Sequence, residues 1–222
     1  MNEDIVKNTV SAKGQTSYPC VMEYGDENSL RVLFMGNSIT LHEPSHGIGW
    51  YGNHGMAASS PERDYVHTVI RAIEEKHGRI STCVANVACF ERDYASDKAL
   101  LSFPEAKELK PDVVIFRFGE NTNRDILASH SLEESLKRFF NYYAEGAKKV
   151  IVTDLFWYHE WICTALKNAA DALGFTFVSI NDLGEADENK AIGLFEHEGI
   201  ALHPGDLGMK RIAERIIEAL DL

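Results

Sequence analysis

The chain has 222 residues, 45% hydrophobic and 25% charged, which is long enough for one globular domain with a full core. Its net charge of −12 disfavours nucleic acid or an anionic membrane surface as a partner and suits a neutral substrate. No apolar run approaches the roughly 20 residues of a membrane-spanning helix, and the acidic N-terminus, MNEDIVKNTV, does not resemble a secretory signal. The four cysteines have neither metal-ligand spacing nor a CxxC motif. We therefore expect a reduced, cytoplasmic protein, although a secreted chain whose signal had been removed would look the same.

The first segment of the chain differs in character from the rest. Residues 1–28 are polar and contain glycine and proline, which predicts an N-terminal arm with one short strand near residues 20–24. Residues 29–222 are predicted to form the main domain. Within it, a Gly- and His-rich connection at residues 42–62 is too long for a plain loop, so we expect it to shape a pocket.

Short apolar runs alternate with segments of helical periodicity from residue 32 onward. The predicted strands are residues 32–35, 81–87, 113–118, 150–156 and 175–180. The predicted helices are residues 64–77, 93–102, 131–145, 161–173 and 206–220. Pro104 is expected to stop the second of these helices. This alternation predicts an α/β fold with a central parallel sheet, right-handed crossovers and helices on both faces.

Three polar residues stand where this fold places ligands, at the carboxyl ends of strands or in a loop before a helix. Ser38 follows the first predicted strand of the main domain, Asn121 follows the strand VVIFRF, and His203 precedes the last helix. A serine needs a base to lose its proton, and histidine is the efficient one near neutral pH. A side-chain amide together with backbone N–H groups can stabilise an oxyanion. The three residues therefore indicate acyl transfer through a serine nucleophile.

The motifs around these residues resemble those of the SGNH (GDSL-type) hydrolases over residues 30–222. They read GNSIT, GENT and IALHP, and they stand in the family's order along the chain. The resemblance implies a flavodoxin-like three-layer α/β/α sandwich with a central parallel sheet, the SGNH hydrolase fold. It also implies that Ser38 is the nucleophile, Asn121 an oxyanion donor and His203 the base, with no metal and no organic cofactor.

One departure from the family pattern concerns the second block. Glu91 stands where the family has a glycine whose backbone N–H serves the oxyanion hole. Because any residue except proline keeps that N–H, we expect the N–H groups of Ser38 and Glu91 to act together. The carboxylate is expected to point away from the oxyanion or to pair with Arg92, Arg117 or Arg124.

A second departure concerns the group that orients the histidine. Ile200 stands where the family has an aspartate, so the second ring nitrogen of His203 needs another acceptor. A backbone carbonyl near Ile200 would make the site a serine–histidine dyad. The Glu198 carboxylate is an equal alternative, with Asp182 and Asp206 as further options.

Several residues near the predicted loop ends are candidates for substrate binding: Asn37, Trp50, Tyr51, Arg117 and Trp157. The aromatic faces suit the apolar faces of sugar rings, and core packing is the alternative. Asn37 is interpreted either as a turn residue or as a residue that hydrogen-bonds across neighbouring loops. Arg117 either binds an anionic group of the substrate or pairs with Glu91 or Glu120. The scattered histidines of residues 42–67 do not have the spacing of a metal site.

These observations predict a serine esterase that removes a short acyl group, such as acetyl, from a carbohydrate-like alcohol or another small ester. Its partner is then a small-molecule or glycan ester, and the sequence does not predict the oligomeric state. The alternative is a non-catalytic carbohydrate-binding module on the same fold. A flavodoxin-like nucleotide or phosphate binder is disfavoured because no Gly-rich phosphate-binding motif follows a strand.

Overall fold

A six-stranded sheet runs through the computed structural model, which describes residues 20–221. The strands are β1 (Cys20–Glu23), β2 (Arg31–Gly36), β3 (Ser81–Asn86), β4 (Val113–Arg117), β5 (Lys149–Thr153) and β6 (Thr176–Val178). Their order is β1-β3-β2-β4-β5-β6, and all pairs are parallel except β1 with β3. The antiparallel edge strand β1 lies within the predicted N-terminal arm, and residues 1–19 of that arm are outside the described residues.

Helices cover both faces of this sheet. They are α1 (Tyr65–His77), α2 (Ala88–Arg92), α3 (Asp97–Leu100), α4 (Pro104–Glu108), α5 (Leu132–Tyr143), α6 (Glu160–Leu173), α7 (Glu198–Ala201) and α8 (Asp206–Leu220). Helices α5 and α6 contribute to one buried apolar cluster, and α1 and α8 contribute to another on the opposite face. The predicted three-layer α/β/α sandwich is confirmed.

Strand β2 shows why its sequence is a continuous apolar run. Val32 and Phe34 belong to one core cluster, whereas Leu33 and Met35 belong to the other. All four side chains are fully buried. A parallel strand covered by helices on both sides must be apolar at every position, so the usual alternation of polar and apolar residues is absent.

The prediction of one helix over residues 93–102 is wrong. The structure has two shorter helices, α2 before this segment and α3 within it, and the Ser96 side chain caps α3 by accepting the N–H of Ala99. Pro104 does not stop a helix but starts α4, because a proline at the first position loses no intrahelical hydrogen bond and already has a helical φ.

The strand order creates a crevice at the carboxyl edge of the sheet. From β2 the chain crosses to β3 on one side and then to β4 on the other, so the loops after these strands diverge. Ligands bind at such switch points in open α/β sheets. Residues 42–62 fold over the same edge, with Met56 N donating to Ser38 O at 2.8 Å. Among the described residues, no helix is both long and apolar enough to cross a membrane.

Candidate active site

Ser38 lies in a tight turn directly after β2. The N–H groups of Thr40 and Leu41 both donate to the Asn37 carbonyl, at 2.9 and 3.0 Å. A side chain at Gly36 would overlap Thr40, so only glycine allows the chain to turn this sharply at the end of the strand. The turn therefore raises the Ser38 hydroxyl at the carboxyl edge of the sheet.

The Ser38 hydroxyl contacts the imidazole of His203, with 2.8 Å between Oγ and Nε2. The other ring nitrogen, Nδ1, lies 2.7 Å from the carbonyl oxygen of Gly199. Because a carbonyl can only accept, Nδ1 carries the proton and Nε2 presents a lone pair to the serine. Two residues that are 165 positions apart in the sequence thus form a hydrogen-bonded serine–histidine pair.

The acceptor for the Nδ1–H of His203 is a backbone carbonyl and not a carboxylate. The carbonyl belongs to Gly199 and not to Ile200, whose oxygen accepts the backbone N–H of His203 at 2.9 Å. Gly199 lies in the four-residue helix α7, and the last carbonyls of a helix have no intrahelical partner. This oxygen is therefore available to the imidazole.

The carboxylates considered as acceptors have other positions or partners. Glu198 is exposed at the start of α7. Asp182 forms two hydrogen bonds with Arg215, at 2.5 and 2.7 Å. Asp206 accepts the N–H and the hydroxyl of Ser59 at 2.8 and 2.7 Å. None of these three carboxylates takes the place of an aspartate in a triad.

Burial lowers the pKa of His203 to about 4, and the Arg117 cation acts in the same direction. The hydrogen bond to the Gly199 carbonyl opposes this shift only in part. The imidazole is therefore neutral at physiological pH. A neutral imidazole with its lone pair on the serine is the form that accepts a proton.

Asn121, in the loop after β4, lies at the same cleft as Ser38 and His203. Its Nδ2 donates to Glu91 Oε2 at 2.7 Å. A carboxamide has two N–H donors, so one remains for a ligand. Within the described part of the chain, the backbone N–H of Ser38 donates to no other group. These two N–H groups are the candidate oxyanion donors that the geometry supports.

The expectation for Glu91 as an oxyanion donor is wrong. Its backbone N–H donates to the Val87 carbonyl at 3.3 Å, because α2 has already begun at this point. Its carboxylate pairs with none of the expected arginines. It is 2% exposed and accepts hydrogen bonds from Asn37, Gly119 and Asn121.

Asn37 and Arg117 are structural and do not contact the cleft. Both are fully buried. Asn37 Oδ1 accepts from Arg117 at 2.8 Å, and Asn37 Nδ2 donates to Glu91 and Glu120 at 3.1 and 2.6 Å. Arg117 also pairs with Glu120. The interpretation that Asn37 hydrogen-bonds across neighbouring loops agrees with these contacts, whereas a substrate role for either residue does not.

The three aromatic candidates also lie outside the cleft lining. Trp50 is 3% exposed and donates to the His42 carbonyl at 3.1 Å. Tyr51 is exposed and its ring lies 5.2 Å from that of His46. Trp157 packs edge-on against His203, with ring centroids 4.8 Å apart. Trp50 is therefore a core residue, and Trp157 packs against the imidazole of His203.

The cleft that contains Ser38 has a volume of about 390 Å³. Apolar side chains of Ile48, Met56 and Ile200 form part of its wall. Its polar wall includes His197, which the sequence places six residues before His203, and four residues that sequence reasoning did not select for the site, namely His42, Glu43, Cys89 and Arg92. The prediction that residues 42–62 shape a pocket could have identified His42 and Glu43. Cys89 and Arg92 come from another segment and carry no local signal.

Two of the histidines in residues 42–67 have hydrogen-bond partners within the protein. His54 Nε2 lies 3.1 Å from the Ala58 carbonyl, and His67 Nδ1 lies 2.8 Å from Asp64. Within residues 20–221, no group of three or more His, Cys, Asp or Glu side chains is arranged to hold a metal ion.

Comparison with solved structures shows what this fold is similar to. A catalytic mutant of Axe2, an acetylxylan esterase from Geobacillus stearothermophilus, has a TM-score of 0.56 at 17% identity, over 87% of this chain and 94% of that one. A putative GDSL-like lipase from Bacteroides uniformis has a TM-score of 0.57 at 13% identity, over 88% and 97%. A two-domain esterase, CEX, active on acetylated mannans, has a TM-score of 0.53 at 20% identity, over 86% and 48%.

The sequence comparisons add no relative: no protein-family model matches the chain, and no curated protein matches it. At identities of 13–20%, the structural matches establish a shared fold. The arrangement of residues around Ser38 must therefore carry the argument about chemistry.

Proposed function

We propose that this chain, which has the fold of the SGNH/GDSL-type hydrolases, is a serine esterase. The observation that carries the proposal is the chain of contacts from Ser38 Oγ to His203 Nε2 and from His203 Nδ1 to the Gly199 carbonyl. A serine hydroxyl, an unprotonated nitrogen and a fixed tautomer are the requirements for base-assisted attack on a carbonyl.

The proposed reaction has two halves. In the first, His203 takes the Ser38 proton as Oγ attacks the ester carbonyl, and the N–H groups of Ser38 and Asn121 stabilise the oxyanion. The imidazolium then protonates the departing alcohol, which leaves an acyl group on Ser38. In the second half, His203 takes a proton from water, the resulting hydroxide attacks the acyl carbonyl, and the proton returns to Ser38 as the acid departs.

The proposed substrate carries a short acyl group on a carbohydrate-like alcohol. The cleft of about 390 Å³ combines the apolar side chains of Ile48, Met56 and Ile200 with polar ones such as Glu43 and Arg92, which suits a small acyl group on a hydroxyl-rich alcohol. Two of the structurally similar proteins act on acetylated polysaccharides, which supports the same choice of alcohol. The net charge of −12 favours a neutral glycan over an anionic one.

The alternative, a non-catalytic carbohydrate-binding module, depended on the missing aspartate and on Glu91. The Gly199 carbonyl accepts the hydrogen bond from Nδ1–H that an aspartate would accept, so the first of these arguments is weakened. The Glu91 carboxylate already accepts four N–H groups, so the second is also weakened.

A fluorophosphonate probe tests the proposal directly. We expect the wild-type protein to be labelled on Ser38 and to hydrolyse p-nitrophenyl acetate. Ser38→Ala should abolish labelling and lower kcat by roughly 10⁴-fold or more. Ser29→Ala is a matched control, because the Ser29 hydroxyl pairs with that of Ser81 at the opposite end of the sheet, at 2.8 Å. No labelling between pH 6 and 9 would instead support a binding module.

The substrate class is tested with esters of increasing chain length. We expect kcat/KM to be highest for p-nitrophenyl acetate and to fall at least tenfold by octanoate. Release of acetate from acetylated xylo- or manno-oligosaccharides should accompany this preference. Faster cleavage of long-chain esters would refute the short-acyl assignment while leaving the serine mechanism intact.

A further inference from the structure

The buried carboxyl group of Glu91 collects hydrogen bonds from the two loops that carry the site. Oε1 accepts from Asn37 Nδ2, Gly119 N and Asn121 N at 3.1, 2.5 and 3.2 Å, and Oε2 accepts from Asn121 Nδ2 at 2.7 Å. Asn37 belongs to the turn that holds Ser38, and the other two donors belong to the loop after β4. One side chain thus joins the nucleophile turn to the oxyanion loop.

Burial of the Glu91 carboxylate costs free energy of hydration, which other contacts must compensate. A carboxylate with 2% exposure loses its hydration, and only several N–H donors restore that free energy. Burial raises the pKa of Glu91, and the neighbouring Glu120 adds to this rise, whereas the hydrogen bonds from Asn121, Asn37 and Gly119 oppose it. The N–H donors therefore compensate for the burial of the Glu91 carboxylate.

The backbone at Gly119 is shaped to serve this contact. Its φ is +139°, a conformation that side chains rarely adopt, and an added Cβ would lie 2.6 Å from Leu155. In this conformation the Gly119 N–H points at Glu91 Oε1. The loop that presents Asn121 is thus built around the carboxylate.

We propose that Glu91 is a positioning residue for the esterase reaction: its carboxyl group holds the Asn121 carboxamide so that the second amide N–H faces the oxyanion site. This inference rests on the proposed function. Glu91 acts through Asn121 and does not touch the reacting atoms, so its effect belongs in kcat and vanishes when Asn121 is absent.

A double-mutant cycle tests the inference. Glu91→Gln keeps the size of the side chain but replaces one acceptor oxygen with a donor. We expect kcat to fall about 10- to 100-fold with KM within threefold of wild type. Asn121→Ala should cause a loss of at least the same size. The double variant should be within about threefold of Asn121→Ala alone, because the two residues act as one unit.

Asp154→Asn is the matched control. Asp154 is also a carboxylate with 2% exposure, and it accepts from Ser179, Ile180 and Asn181 at 2.8, 2.6 and 2.9 Å, beyond the end of β5. A purely structural role for Glu91 predicts similar losses of stability and similar small changes in kcat for both variants. Our inference predicts that only Glu91→Gln lowers kcat strongly.

The outcomes are distinguishable. Glu91→Gln with kcat within threefold of wild type, or losses that multiply in the double variant, would overturn the inference. If Glu91→Gln does not fold, the same cycle is run with Glu91→Asp, which keeps the charge but withdraws it by one methylene. Ser38→Ala is measured in parallel: if it retains activity the proposed function fails, whereas its inactivity with an unaffected Glu91→Gln removes only the inference.

Discussion

The imidazole of His203 is oriented by the carbonyl of Gly199, four residues earlier in the chain, at a distance of 2.7 Å. A carbonyl holds the tautomer but carries no net charge, so it stabilises the imidazolium less than a carboxylate does. Burial then dominates, and the pKa of His203 falls to about 4. Without an aspartate at residue 200, the pKa of His203 is thus lowered, while the hydrogen bond to Gly199 still fixes the orientation of the imidazole.

The first prediction concerns the pH dependence of activity. Protonated His203 cannot accept the Ser38 proton, so kcat/KM should fall as the pH drops through the pKa of the imidazole. Because this pKa is about 4 and not 6.5, activity should be nearly constant from pH 8 down to about pH 5. A pH–rate profile with p-nitrophenyl acetate measures this. An acid limb near pH 6.5 would show that the imidazole is more hydrated than the structure indicates.

The second prediction concerns Trp157, whose ring lies edge-on to His203 with 4.8 Å between centroids. Trp157→Ala should admit water to the imidazole. Because burial is the main cause of the low pKa, the acid limb should move upward from about 4 toward 6.5. We also expect kcat to fall by roughly tenfold as the ring loses its support.

Two further variants serve as controls for Trp157. Trp157→Phe keeps an aromatic edge and should restore most of the wild-type profile. Trp161→Ala removes an indole that packs near His159 and not against His203, so it should leave the acid limb in place. An unchanged limb in Trp157→Ala would contradict burial by this ring as a cause of the shift.

The third prediction concerns the contact between Asp206 and Ser59, which ties residues 42–62 to the start of α8. Asp206→Ala removes two hydrogen bonds and a negative charge from the first turn of a helix. It should lower the free energy of unfolding by about 1–2 kcal/mol. KM should also rise, because Ile48 and Met56 of the tied segment line the cleft.

Urea denaturation and steady-state kinetics measure these two effects. Glu214→Ala is the control on the same helix, since this side chain pairs only with Lys210 at 3.6 Å in the described contacts. It should change stability by less than about 0.5 kcal/mol. A raised KM without any loss of stability in Asp206→Ala would show that the contact positions the loop but does not stabilise the fold.

The regular elements were largely predictable because their signals are local. The predicted bounds of the last helix, residues 206–220, coincide with α8, and the helix predicted at residues 64–77 begins one residue later, at Tyr65. The segment of residues 88–108 was not predictable in the same way. Its three helices have five residues or fewer, so none repeats an apolar face often enough to show a period.

Within the site, the sequence by itself determined the candidates for catalysis: Ser38, Asn121 and His203 stand in short motifs at predictable points of an α/β fold. Only the tertiary structure decided their partners. The acceptor for His203 lies in a four-residue helix. The hydrogen bonds of Arg117 and Glu91 with side chains of other loops join segments that are 30 to 80 residues apart. A motif specifies side chains along the chain, whereas hydrogen bonds and burial depend on where the fold brings distant segments together.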